Sequence, residues 1–281
     1  CDVASTTAVS NGAQIMHMFT VIIIGLAMGT TVRIAKAIGA GDKENAARTI
    51  GNTFTLFTIV AIITTALLLA TNRSIVSLID TPQEAVKGTI DYLRICFIGI
   101  PFIIAYNIIA SIFRGLGDSK SPMYFVIVAC VVNIALDYIF IGHFKMGATG
   151  AALGTTLSQA VSVIVAAIMI RKKSLMSITR RDLRPERRTM SGILKTGVPI
   201  SLQDGFIQVA FIAITVIANG RGLNDAAAVG IVEKFIGLLF IVPSAMLATV
   251  SAMAAQNIGA KKPERARKTM KYSIAIAVGF G

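Results

Sequence analysis

Charge is scarce in this sequence. Asp, Glu, Lys and Arg make up 15% of the 281 residues against 54% hydrophobic ones, and the mean hydropathy is +0.74. A soluble domain of this length needs far more polar surface, which excludes a water-soluble globule. Cysteine is sparse too: of three, Cys96 and Cys130 fall inside apolar runs, so no disulfide framework is implied. Catalytic and nucleotide-binding signatures are missing. The stretch "IGAGD" is no phosphate loop, since no strand precedes it and no Gly-Lys-Ser/Thr follows. HExxH, GxSxG and a Cys/His metal set do not occur. Neither an enzyme nor an ATPase module is expected, so any pumping would draw on an ion gradient.

What the chain has instead is long apolar runs. They fall at residues 4–34, 50–71, 89–113, 123–142, 147–170, 193–218 and 226–257, and another begins near 270. Several reach the roughly 20 apolar residues that cross a hydrocarbon core as a helix. The expected fold is an all-α polytopic membrane protein with about seven complete spans and part of an eighth. Pro101, Pro199 and Pro243 lie inside spans, where neighbouring helices re-satisfy the freed backbone. The chain opens on Cys1 rather than Met and ends within the apolar run "IAIAVGFG", so truncation at both ends is expected.

The net charge of +13 invites a nucleic-acid reading, but the basic residues sit in short connectors between spans. Alternate connectors, those near residues 40, 118, 182 and 264, carry 21 Lys and Arg against 5 in the intervening ones. The basic set is then cytoplasmic by the positive-inside rule. The partners expected are the lipid bilayer and a small molecule, with no nucleic acid.

Two connectors repeat. "VRIAKAIGAGDKENAART" at residues 32–49 lies on "SAMAAQNIGAKKPERARKT" at 251–269 with a gapless shift of 220 positions. Ala35, Ile38, Gly39, Ala40, Glu44, Ala46 and Thr49 then match Ala255, Ile258, Gly259, Ala260, Glu264, Ala266 and Thr269. At about 37 residues per span and connector, 220 residues is six helices, which returns the chain to the same side. The repeats are parallel, related by an axis along the membrane normal, as in secondary transporters that hold substrate between two halves.

The connectors "VRIAKAIGAGDKENA" and "AMAAQNIGAKKPERA" resemble the cytoplasmic loop after the second helix of each half in the multidrug and toxic compound extrusion (MATE) family. "FRGLGDSKSPM" is similar to the family's loop after its fourth helix, "GATGAALGTTLSQ" to the start of its sixth and "GILKTGVPISLQ" to its seventh. The resemblance covers essentially the whole chain. It implies a two-lobe bundle: an N-terminal lobe over residues 1–170 (family helices 2–6), a basic cytoplasmic linker over 171–192, and the start of a C-terminal lobe over 193–281 (family helices 7–9). It also implies that the family's first helix and its last three lie outside the chain.

Ionisable groups inside the spans cost roughly 2.5–3.5 kcal/mol each at mid-helix, and few occur. Asn133 and Asp137 stand four apart, on one helix face. Asp137 precedes the outer turn, placed at Gly142, by about 8 Å of rise, and Thr155 follows it by about 10 Å, depths similar enough for an oxygen cluster to form across the hairpin. Carboxylate, amide and hydroxyl suit Na⁺, and the carboxylate alone suits H⁺. The same trio matches the first-lobe cation site of the family's DinF-like branch, which implies a coupling role. A capped polar residue near the interface is the structural alternative.

Asp204, with Gln203 and Gln208 beside it, and the adjacent Glu233 and Lys234 are the other embedded polar groups. Two readings stand: these residues line a substrate cleft, or Asp204 and Lys234 pair across helices. His17 either faces the cleft or is simply packed, and the packed reading is the one expected. The resemblance implies a multidrug efflux antiporter in the cytoplasmic (inner) membrane, monomeric, exporting organic cations for Na⁺ or H⁺ and using no other cofactor. A lipid-linked oligosaccharide flippase of the same superfamily and a non-transporting membrane scaffold are the alternatives.

Overall fold

The computed structural model describes residues 3–79, 81, 83–173, 179, 181–221 and 223–280. The apolar runs fold as helices: α1 (Val3–Gly39), α2 (Lys43–Leu78), α3 (Gln83–Gly115), α4 (Lys120–Asp137), α5 (Gly147–Lys173), α6 (Arg187–Arg221), α7 (Leu223–Gly259) and α8 (Pro263–Phe280). Seven are long and apolar enough to cross a membrane, and α8 follows. No strand occurs among the described residues. This is the expected polytopic all-α fold. The long first and seventh spans emerge as helices of 37 residues each, about 55 Å at the α-helical rise, so both extend past the hydrocarbon core.

Two boundaries differ from the sequence reading. The outer turn lies at residues 144–146 rather than at Gly142, because a π-helical turn, Tyr138–His143, carries the chain on past Asp137. Its wider bonds close with Phe144 N–H donating to the Ile139 carbonyl at 2.9 Å. The second helix also runs on beyond residue 71 to Leu78, since Asn72 is buried and donates to the Ile90 carbonyl of α3 at 3.0 Å. An amide satisfied by a neighbouring helix does not end its own.

α3 is the centre of the core. Leu93, Phe97, Ile100, Ile104 and Phe113 along it are fully enclosed by α1, α2, α4 and α5. Phe113 meets Phe125 of α4 edge-on at 5.4 Å, and Phe97 meets Phe19 of α1 at 6.3 Å. On its other side α1 packs against α6 and α7, so it is shared between the two sets of helices.

The repeated connectors meet one another. A Cβ on Gly39 would strike the Gln256 carbonyl, and one on Gly259 would strike the Lys36 carbonyl. Since 256 is 36 shifted by 220, the crossing of α1 and α7 is self-complementary, as a two-fold axis demands. The turns after the crossing repeat as well. Asp42 N–H donates to the Ala37 carbonyl at 3.0 Å, and Lys262 N–H to the Asn257 carbonyl at 2.9 Å. Gly41 takes φ +73° and Lys261 φ +56° at equivalent positions, the left-handed conformation that closes such a helix end.

Residues 174–178 and 180 of the expected linker lie outside the described residues. The rest of its second half docks on α2. Buried Asn52 donates to the Asp182 carbonyl at 3.2 Å and accepts from Glu186 N–H at 2.7 Å, while the Thr55 hydroxyl donates to the Leu183 carbonyl at 2.7 Å. The Thr179 hydroxyl and N–H both donate to the Asp182 carboxylate, which holds that carboxyl below its usual range.

Candidate functional site

Asp137 ends α4, and the sequence reason for its placement is on the facing helix. Gly154 of α5 has no side chain, and the Asp137 carboxylate fills the space a Cβ would take, with the Asn133 amide nitrogen 3.6 Å from the same point. The structure thus brings Asn133 and Asp137 together against one bare patch of backbone. Asp137 Oδ1 and Asn133 Nδ2 are both buried and have no hydrogen-bond partner. Leaving buried polar atoms unpaired costs about 1–3 kcal/mol each. The π-helical turn begins at the next residue, Tyr138, and such turns recur at functional sites.

Thr155 is the next residue along α5, turned by about 100° from Gly154. Its side chain lines a cavity of about 460 Å³ between α1, α3 and α5, shared with His17, Tyr92, Arg114 and Gln159. Sequence reasoning missed this polar interior. Tyr92 is buried at the edge of this cavity, and Gln159 Oε1 is another buried atom without a partner. The spacing of Gly150 and Gly154, four apart on one face, was the one legible signal for a close approach.

A second cavity, of about 680 Å³, opens between α1, α6 and α7. Asp204, Gln203 and Gln208 line it from α6 and Glu233 from α7, together with Phe211 and Phe240. The Asp204 carboxylate lies against Gly25 of α1, within 3.1 Å of where a Cβ would be. Glu233 is fixed by a hydrogen bond from the Thr215 hydroxyl at 2.7 Å. Lys234 is exposed and is not among the lining residues, and no ion pair joins it to Asp204 among the described residues. Neighbours on a helix face different ways, and here Glu233 faces in. His17 is exposed and lines both cavities rather than being packed as expected, so α1 is their common wall.

Comparison with known proteins places these features in a family. A family model described as MatE matches residues 2–139 and 199–281. The probable multidrug resistance protein YoeA of Bacillus subtilis (strain 168) is 28% identical over 280 residues, covering 97% of this chain and 60% of its own length. YpnP of the same organism, also named a probable multidrug resistance protein, is 32% identical over 243 residues, covering 86% of this chain and 54% of its own. This chain therefore spans a little over half the length of these curated relatives. Among solved structures, an outward-facing multidrug resistance MATE family transporter superposes with a TM-score of 0.87 at 27% identity, over 100% of this chain and 63% of that one. A MOP superfamily transporter from Pyrococcus furiosus, whose reversed pocket polarity suggests a different function, gives 0.91 at 27% identity, over 99% and 62%.

Proposed function

The chain belongs to the MatE family, and from that premise we propose an ion-coupled multidrug antiporter that exports organic cations across the cytoplasmic membrane. The observation that carries the coupling site is the buried, unpartnered Asp137 Oδ1 held beside Asn133 and against Gly154. Asp137 supplies the charge and Asn133 a neutral oxygen at the Gly154 contact, and Thr155 adds a hydroxyl from the wall of the adjoining cavity, a combination suited to Na⁺ or, through the carboxylate alone, to H⁺. The transported ion is cargo here, and no resident cofactor is invoked. Residues 1–170 and 193–281 form two lobes joined by the 171–192 linker.

The larger cavity is the substrate site in this reading. Among the described residues two carboxylates and two aromatic faces line it, with no Lys or Arg, which favours an organic cation through charge and cation–π attraction. The same lining speaks against the flippase alternative, whose anionic substrate wants cations in the wall. Coupling requires that ion and drug favour different states, and α1, shared by both cavities, is the element that can transmit the choice.

The test is drug efflux from proteoliposomes under an imposed Na⁺ or pH gradient. Asp137→Asn, nearly isosteric, is expected to preserve folded yield and abolish gradient-driven export. Asn133→Ala and Thr155→Ala each remove one neutral ligand and should weaken ion dependence less. Wild-type gradient-driven export by Asp137→Asn removes the carboxylate from the coupling step.

A further inference from the structure

The connectors of the outer face carry few cations, yet two of them converge on one cavity. Arg73, near the end of α2, and Arg94, about three turns into α3, line a space of about 450 Å³ with Leu69, Asn72, Ile90 and Ile98. Both arginines are exposed, and among the described residues no Asp or Glu lines the space. Asp91 stands on α3 outside that lining, and among the described residues neither arginine is in an ion pair. The positive-inside rule accounts for cations at the other end of these helices and not for this pair.

Two guanidinium groups facing one cavity repel, and an anion between them turns repulsion into attraction on both sides. Arginine's planar fork suits a phosphate in particular. The cavity is also built to a fixed width. Buried Asn72 donates to the Ile90 carbonyl at 3.0 Å and so ties one wall to the other.

The remaining walls are apolar and open sideways. Leu69 and Ile98 are exposed, and Leu69 continues the bare flank of Ile62, Ile63 and Leu67 along α2. Arg73 lies beyond the apolar run and the aliphatic walls within it, so a ligand that fits both is an anion with a hydrocarbon tail. We propose that this cavity binds an anionic phospholipid of the outer leaflet, its phosphate between Arg73 and Arg94 and one acyl chain along Leu69 and Ile98.

Native mass spectrometry of the purified chain in mixed micelles of dioleoyl phosphatidylglycerol and dioleoyl phosphatidylcholine tests this directly. The wild type should retain phosphatidylglycerol preferentially. Each Lys or Arg near an anionic membrane surface is worth about fivefold in affinity, so R73Q/R94Q should reduce that preference roughly thirtyfold. R171Q/K172Q removes the same charge from exposed positions on the cytoplasmic side and should change it less than about twofold. Equal losses from both pairs would mean diffuse surface charge and overturn the site. Displacement of the lipid by soluble glycerol 1-phosphate at equal concentration would overturn the role of the acyl chain. No preference for phosphatidylglycerol in the wild type would leave the arginines to an acidic protein segment and reject a lipid.

Discussion

Asp137 acquires its surroundings from a residue that contributes no side chain to them. At Gly154 a methyl group would collide with the carboxylate oxygen, which is the far end of a short side chain and can be pushed aside only by giving up its position beside Asn133. Gly154→Ala should therefore overpack the α4–α5 contact by about 1–3 kcal/mol. More tellingly, it should weaken the ion dependence of efflux by roughly tenfold or more, the scale of losing a group that positions a ligand. Efflux titrated against Na⁺ or pH at matched folded yield checks this. A lower melting temperature with unaltered ion dependence would reduce Gly154 to packing alone. The residue scale also marks the limit of sequence reading. Asn133 and Asp137 declare themselves by spacing, whereas their partner is a glycine on another helix, visible only once the backbones are placed. In "VEKF" two adjacent charges looked alike, and only the packing of α6 on α7 turns Glu233 inward to Thr215 and Lys234 outward.

Helices are easier to read than their ends. Apolar length gave the spans, but Asn72 in α2 and the turn after Asp137 read as stops while the chain continued, because a neighbouring helix or a wider hydrogen-bond register satisfied the backbone. The repeat was legible as a pattern, and its consequence, that the two copies touch, was not. The crossing at Gly39 and Gly259 rests on backbone carbonyls, Gln256 and Lys36, which cannot rotate away as a side chain can. Ala35 and Ala255, equivalent under the 220-residue shift, are buried close to that crossing. Gly39→Val should force α1 from α7 and raise the maleimide labelling rate of Ala255→Cys from the cytoplasmic side. Gly259→Val should do the same for Ala35→Cys. An increase of at least fivefold corresponds to about 1 kcal/mol, the low end of an overpacking penalty. Unchanged rates in both would show that the crossing absorbs a side chain and is not a close seal.

For the whole molecule, orientation ties the sites to a direction of transport. By the positive-inside rule, the 21-to-5 division of Lys and Arg among alternate connectors would put the α1–α2, α3–α4, α5–α6 and α7–α8 turns in the cytoplasm. In that orientation the Gly39–Gly259 crossing would close the inner end, and Asp137, one helical segment from the 144–146 turn, would lie toward the outside. An antiporter arranged in this way would exchange its coupling ion with the external medium. A reversed orientation would exchange the two ends of the molecule. Single cysteines can decide it, in a background with Cys1 and Cys130 replaced by serine. Lys43→Cys, Lys120→Cys, Arg181→Cys and Glu264→Cys, all exposed, should resist a membrane-impermeant maleimide on intact cells and react after permeabilisation. His143→Cys and Lys87→Cys, also exposed, should react on intact cells. Labelling of Arg181→Cys from outside would invert the molecule, place the phospholipid cavity of Arg73 and Arg94 in the inner leaflet, and turn the α1–α7 crossing into an external seal.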